Sequence, residues 1–264
     1  MLKILLAFVP VFSFAQNCPA GSRFSSLAHA AVATTDAWTF FSNPAASAFL
    51  PKASIGFSYE NRFLLKELQS QALVYNQPLK TGVLSLGAQT YGFKYFRQLK
   101  TGLGYSFKLN DFLSAGVQIS YQGLWFSEYY GYRQAVIADA GLLIKINEYW
   151  SIGTSIFNLG RTKVNRANKE RWSTDVRIGV GYKLSPKVLI LSEIDKNVNH
   201  PLRLKCGVEY QPVKAFFLRT GFATWPFEIA AGMGCQWKKI HLDMGSTYKP
   251  IVGFSPNITC SFNL

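Results

Sequence analysis

His241 and Asp243 stand two residues apart in Ile240-His241-Leu242-Asp243. On an extended strand that spacing puts both side chains on one face. An imidazole beside a carboxylate supplies two groups of a nucleophilic hydrolase triad, and a serine within reach would complete it. The same pair can equally join a hydrogen-bond network, and the surrounding charges favour that use. Asp175, Arg177, Arg203, Lys205, Glu209, Arg219, Glu228 and Asp243, with Glu193 and Asp195, fall on alternate positions of otherwise apolar segments. Both signs share one face, so they can pair with one another across strands. The three histidines, His29, His200 and His241, and the four cysteines show no metal-ligand spacing. No catalytic centre, metal or cofactor is expected.

Two further basic groups stand out. Arg161, Lys163, Arg166, Lys169 and Arg171 crowd one connection against Glu170. Such a loop suits lipopolysaccharide phosphates or an anionic partner, or is simply solvated. Lys80, Lys108, Lys145, Lys183, Lys187, Lys214, Lys238 and Lys239 crowd the opposite ends of the segments and suit anionic head groups. The net charge is +14, yet no compact basic tract or binding motif points to nucleic acid. A membrane is the better explanation.

The elements that must position these groups are strands. In Leu113–Gln122, Leu113, Ala115, Val117, Ile119 and Tyr121 alternate with Ser114, Gly116, Gln118, Ser120 and Gln122. Alternation of this kind fits a soluble sandwich with its apolar face inside, or a membrane barrel with that face against lipid. The distribution of charge decides between them: one face collects both signs and the other is nearly free of charge. Val176 and Ile178 are therefore expected to face lipid with Val117 and Ile119, while Asp175 and Arg177 face a lumen. Fourteen candidate strands lie near 53–62, 67–77, 82–93, 95–108, 112–122, 133–147, 149–158, 173–184, 187–196, 202–211, 214–224, 227–237, 239–249 and 256–264. Every second link is short: 78–81, 109–111, 147–148, 185–186, 212–213 and 238. The remaining links include two long ones, 123–132 and 159–172. That asymmetry is the habit of an antiparallel outer-membrane barrel with short periplasmic turns.

A weak repeat supports the hairpin scheme. Gly104, Gly141, Gly179, Gly207 and Gly234 are each followed four residues later by a polar residue, Lys108, Lys145, Lys183, Gln211 and Lys238. Each polar residue precedes a proposed periplasmic turn. Cys206, Cys235 and Cys260 point outward on strands that are not neighbours, too far apart for a disulfide, and read as small apolar residues. Cys18 follows Ala15-Gln16-Asn17, which is no lipoprotein cleavage box.

The chain opens with a basic start at Lys3, an apolar run to Phe12 and a small-x-small site at Ser13-Phe14-Ala15. Residues 1–15 thus read as a secretory signal peptide, and no later run reaches the ~18 apolar residues of a membrane helix. Residues 16–52 lack strand alternation and are rich in Ala, with room for one or two short helices. Trp38, Phe40 and Phe41 lead there into Asn43-Pro44-Ala45, and a disordered tail has no use for three aromatics. A fourteen-strand barrel encloses a lumen too wide for its own side chains to fill. The segment is therefore expected to plug the barrel formed by residues 53–264.

The run Ser26-Leu27-Ala28-His29-Ala30-Ala31-Val32-Ala33, continuing through Asp36-Ala37-Trp38 to Asn43-Pro44-Ala45, resembles the N-terminal hatch of the FadL superfamily. It looks most like the PorV/PorQ branch of Bacteroidetes outer membranes. The resemblance implies a non-enzymatic, hatch-plugged barrel of fourteen strands that serves type IX secretion or surface attachment alongside other surface proteins. The alternative it implies is FadL-like passage of a hydrophobic small molecule.

Overall fold

The computed structural model describes residues 19–126, 131–163, 171–198 and 200–264. The expected signal peptide, Cys18, Arg166 and Lys169 lie outside the described residues. Among the described residues, fourteen antiparallel strands close into one barrel: β1 Ser54–Asn61, β2 Gln69–Pro78, β3 Val83–Phe93, β4 Phe96–Lys108, β5 Leu113–Phe126, β6 Tyr132–Lys145, β7 Trp150–Phe157, β8 Asp175–Ser185, β9 Val188–Asn197, β10 Arg203–Val213, β11 Phe216–Ala223, β12 Glu228–Trp237, β13 Ile240–Lys249 and β14 Gly253–Asn263. Each strand pairs with its sequence neighbours. β1 closes on β14 from Ser54↔Asn263 to Glu60↔Asn257, which leaves no open edge for lipid to meet.

Side-chain facing is inverted relative to a soluble protein. Val117 and Ile119 are 57% and 62% exposed, whereas Gln118 and Ser120 between them are 1% and 0% exposed. The same holds on β8, where Ile178 is exposed and Asp175 and Arg177 are buried. An exterior of exposed Val, Ile, Leu and Phe around a buried polar lining is the pattern of a membrane-spanning barrel. Outward aromatics border it at both ends. Trp150 stacks on its cross-strand neighbour Tyr182 near the short turns, and Trp125 packs on Tyr132 at the other end. Cys206, Cys235 and Cys260 are free, on β10, β12 and β14.

Two local expectations are corrected. The stretch 123–132 is not one long loop, because β5 runs on to Phe126 and pairs with β6 as far as Trp125↔Tyr132. β14 begins at Gly253 rather than near 256, since Lys249↔Gly253 closes its hairpin with β13. On the long-loop end β3 and β4 are joined by Lys94 and Tyr95 alone, in keeping with the short gap expected between 82–93 and 95–108. The connection from β7 to β8 is the long one, and Lys163 bridges Arg171 across its described part.

The N-terminal segment lies inside the barrel. It forms one short helix, α1 Ser22–Ser26, and two 3-10 turns, Ala37–Phe41 and Pro44–Phe49. The Ala-rich stretch expected to be helical is largely irregular instead. Its backbone hydrogen-bonds to the wall: Glu193 accepts from the Ala31 and Val32 amides, while Ser151 and Asn76 donate to the Ala33 and Ala37 carbonyls. Wall contacts of this kind override intrinsic helix propensity.

Candidate functional site

The bore and the segment within it form the candidate site. Glycines on the inner wall create hollows into which the segment settles. A Cβ on Gly141 would stand 2.1 Å from Asn43 Oδ1, and one on Gly116 would stand 2.5 Å from the Ala45 amide nitrogen. On Gly207 it would meet Leu27 at 2.8 Å, on Gly179 Val32 at 2.6 Å, and on Gly87 the Phe40 ring at 2.2 Å. Any side chain at these positions would displace the segment. Three of the repeat glycines are among them, so the repeat marks seats for the segment as well as hairpins.

Asn43, Pro44 and Ala45 are fully or nearly fully buried. Asn43 caps the second 3-10 turn by accepting from the Ala45 amide, and its Nδ2 donates to the carbonyls of Val32 (2.7 Å) and Leu142 (3.1 Å). One side chain therefore ties together two parts of the segment and strand β6. Ser114 on β5 adds a bond to the Ala45 carbonyl. Trp38, Phe40 and Phe41 are buried with Phe24 and with Ala72 and Val74 of β2. Phe40 meets Phe41 edge-on at 5.1 Å.

The eight charges expected in the lumen, Asp175, Arg177, Arg203, Lys205, Glu209, Arg219, Glu228 and Asp243, are all buried on the inner wall. Lys205 bridges Glu193 (2.8 Å) and Asp195 (2.9 Å), and Arg203 reaches Glu228 at 2.9 Å. Arg219 binds Glu209 at 2.6 Å and Asp243 at 2.5 Å. Asp175 accepts from Ser173 and from Asn197. Buried charges are tolerable only when paired and hydrogen-bonded in this way.

Residues outside the expected set complete the network. Arg23 on α1 binds Glu209 and Asp36. His29 lies 3.9 Å from Glu228. On the other side of the bore, Asp139 accepts from Gln118 and from the Asn158 amide, with Lys100 4.0 Å away. The available signal was composition: Arg23 and Asp36 are the only Arg, Lys, Asp or Glu residues between Pro19 and Leu50.

Burial holds the His29 imidazole neutral, with a pKa of about 3. Removal from water is the chief cause. The charges of Arg203, Lys205 and Lys249 add to it, against the opposing pull of Glu228.

His241 and Asp243 do share the inner face of β13, beside a cavity of about 310 Å³ between the segment and the wall. Their partners are structural: Arg219 holds Asp243, and Asn263 meets His241 Nε2 at 3.3 Å. Among the described residues no three His, Cys, Asp or Glu side chains gather to hold a metal ion. Of the basic loop, Arg161, Lys163 and Arg171 are exposed, and Arg171 donates to the Arg161 carbonyl.

Solved structures carry this architecture. The toluene transporter TbuX of Ralstonia pickettii superposes with a TM-score of 0.71 at 10% identity, over 94% of this chain and 99% of that one. The toluene transporter TodX of P. putida gives 0.70 at 11% identity, over 94% and 99%. A FadL homologue of Pseudomonas aeruginosa gives 0.67 at 10% identity, over 92% and 98%. The chain has the FadL-type barrel fold. No protein-family model matches the sequence, and no curated protein matches it either. The FadL-type likeness is therefore one of architecture, with the sequences almost wholly diverged.

Proposed function

We propose that this FadL-type barrel resides in the outer membrane and passes a small hydrophobic molecule, with residues 16–52 plugging its bore. The observation that carries the reading is the N-terminal segment seated on the inner wall of a barrel whose architectural neighbours include two toluene transporters. The wall supplies glycine seats and ion pairs rather than an aqueous channel, so passage requires the segment to shift. Lipid and lipopolysaccharide surround the apolar belt, and the exposed Arg161, Lys163 and Arg171 face lipopolysaccharide phosphates. No chemistry on the solute is part of this role.

A PorV/PorQ-type role in type IX secretion or surface attachment is the second reading. The resemblance over residues 26–46 supports it. So do the short connections at the long-loop end, such as Lys94-Tyr95 and 250–252, which offer little chain to build an outer ligand groove. Deletion separates the two. Cells lacking the protein are assayed for uptake of labelled toluene and for surface proteins released by mild protease. Transport predicts lost uptake with the surface proteins intact; the converse result would replace it with the secretion role.

A further inference from the structure

The repeat's second half has a purpose that the seating of the segment does not absorb. Lys108, Lys145 and Lys183 follow Gly104, Gly141 and Gly179 by four residues, so each shares the inward face of its glycine. Lys108 and Lys145 end β4 and β6, and Lys183 lies two residues before the end of β8, all at the short-turn mouth of the bore. Here the expectation that they meet membrane head groups is revised. Lys145 Nζ lies 3.9 Å from the centroid of the Phe49 ring and Lys108 Nζ 5.0 Å from it. Phe49 ends the segment inside the barrel, so these two ammonium groups turn away from lipid. Lys183, four residues beyond the inward Gly179 on β8, stands on the same face at the same mouth. Among the described residues no carboxylate lies within 4.0 Å of any of the three. Deeper in the bore the cations have acidic partners; at this mouth they converge without one. Such a cluster repels itself unless a counter-charge arrives.

We propose that this lysine collar docks an acidic polypeptide segment from the periplasm. Lys108 and Lys145 both reach the Phe49 ring, but the row runs from β4 to β8, four strand spacings or about 19 Å along the rim. That spread exceeds the reach of one phosphate and matches several carboxylates along an extended chain. Facing the bore rather than the bilayer separates the collar from Lys239, which leans on the ring of Phe262 on β14.

The test uses the full mature chain in zwitterionic detergent and a fluorescent deca-glutamate peptide, followed by anisotropy. Removing three exposed charge pairs at once weakens binding about tenfold. The triple variant Lys108→Gln, Lys145→Gln, Lys183→Gln is expected to bind at least that much more weakly. The triple Lys80→Gln, Lys187→Gln, Lys239→Gln, with the same charge change on the same rim, should stay within about twofold. Equal losses in both would overturn the proposal. So would loss of binding when the wild-type barrel is moved into nanodiscs containing phosphatidylglycerol, because lipid head groups would then own the lysines. Carbodiimide cross-linking of the peptide to the unmutated protein needs no variant to fold. Adducts concentrated on Lys108, Lys145 and Lys183 support the collar, and adducts spread over Lys66, Lys94 and Lys163 refute it.

Discussion

The Arg23 guanidinium on α1 meets the Glu209 carboxylate on β10 edge to edge, Nε donating to Oε2 at 2.8 Å and Nη2 to Oε1 at 2.9 Å. Asp36 binds the remaining Nη1 at 3.0 Å, and Glu209 passes the chain on to Arg219 and Asp243. Two-pronged charged contacts of this kind fix orientation as well as adding energy. Breaking a buried pair from one side costs about 3–5 kcal/mol. Arg23→Ala should therefore loosen the segment while leaving the strand ladder closed. Limited proteolysis checks this: cleavage between residues 20 and 50 should accelerate with no loss of β-signal in circular dichroism.

The wall glycines make a sharper contrast. Gly116→Ala places a methyl group 2.5 Å from the Ala45 amide, backbone that cannot step aside cheaply. Gly104→Ala meets nothing closer than 3.6 Å. The first substitution should unseat the segment and the second should be neutral within about 0.5 kcal/mol. Protease sensitivity of the segment in the folded barrel distinguishes them.

Asn43 satisfies two buried carbonyls at once. Asn43→Ala leaves both without a donor, at about 1–3 kcal/mol for each stranded group. Asn43→Asp should be worse, since a carboxylate would face the Val32 and Leu142 carbonyl oxygens. The melting temperatures of the two variants in detergent should rank in that order below wild type.

His29 gives the seating a pH dependence. Its pKa is lowered from 6.5 to about 3 when buried, so the displaced segment binds the proton more tightly than the seated one. The contribution to stability is complete above pH 6.5 and is lost as pH falls toward 3, by about 0.7 kcal/mol per unit near 6.5 and about 1.4 kcal/mol per unit between roughly pH 5.5 and 4. Proteolysis of the segment should rise between pH 7.5 and pH 5.5 in wild type and stay flat in His29→Gln.

The strands were legible because the alternation of Val117, Gln118, Ile119 and Ser120 is a local signal, and its inversion could be read from charge. The identity of Asn43-Pro44-Ala45 was visible too, but not its seat, which depends on Gly116 and Gly141 far along the chain. Arg23 escaped the expected lumen set because that set was drawn from strands, and an irregular segment has no periodicity to show where its side chains point. Tertiary pairing, such as Arg23 with Glu209, is not written in spacing. Lys108 and Lys145 read as lipid contacts in sequence because a strand end leaves the choice between bore and rim to the ring of Phe49.

Conductance across a planar bilayer tests the stoppered bore most directly. Wild-type protein should insert and stay electrically silent, while Gly116→Leu combined with Gly141→Leu should open steady, ohmic steps. Steady conductance from the wild type, of the same size as in the double variant, would contradict it.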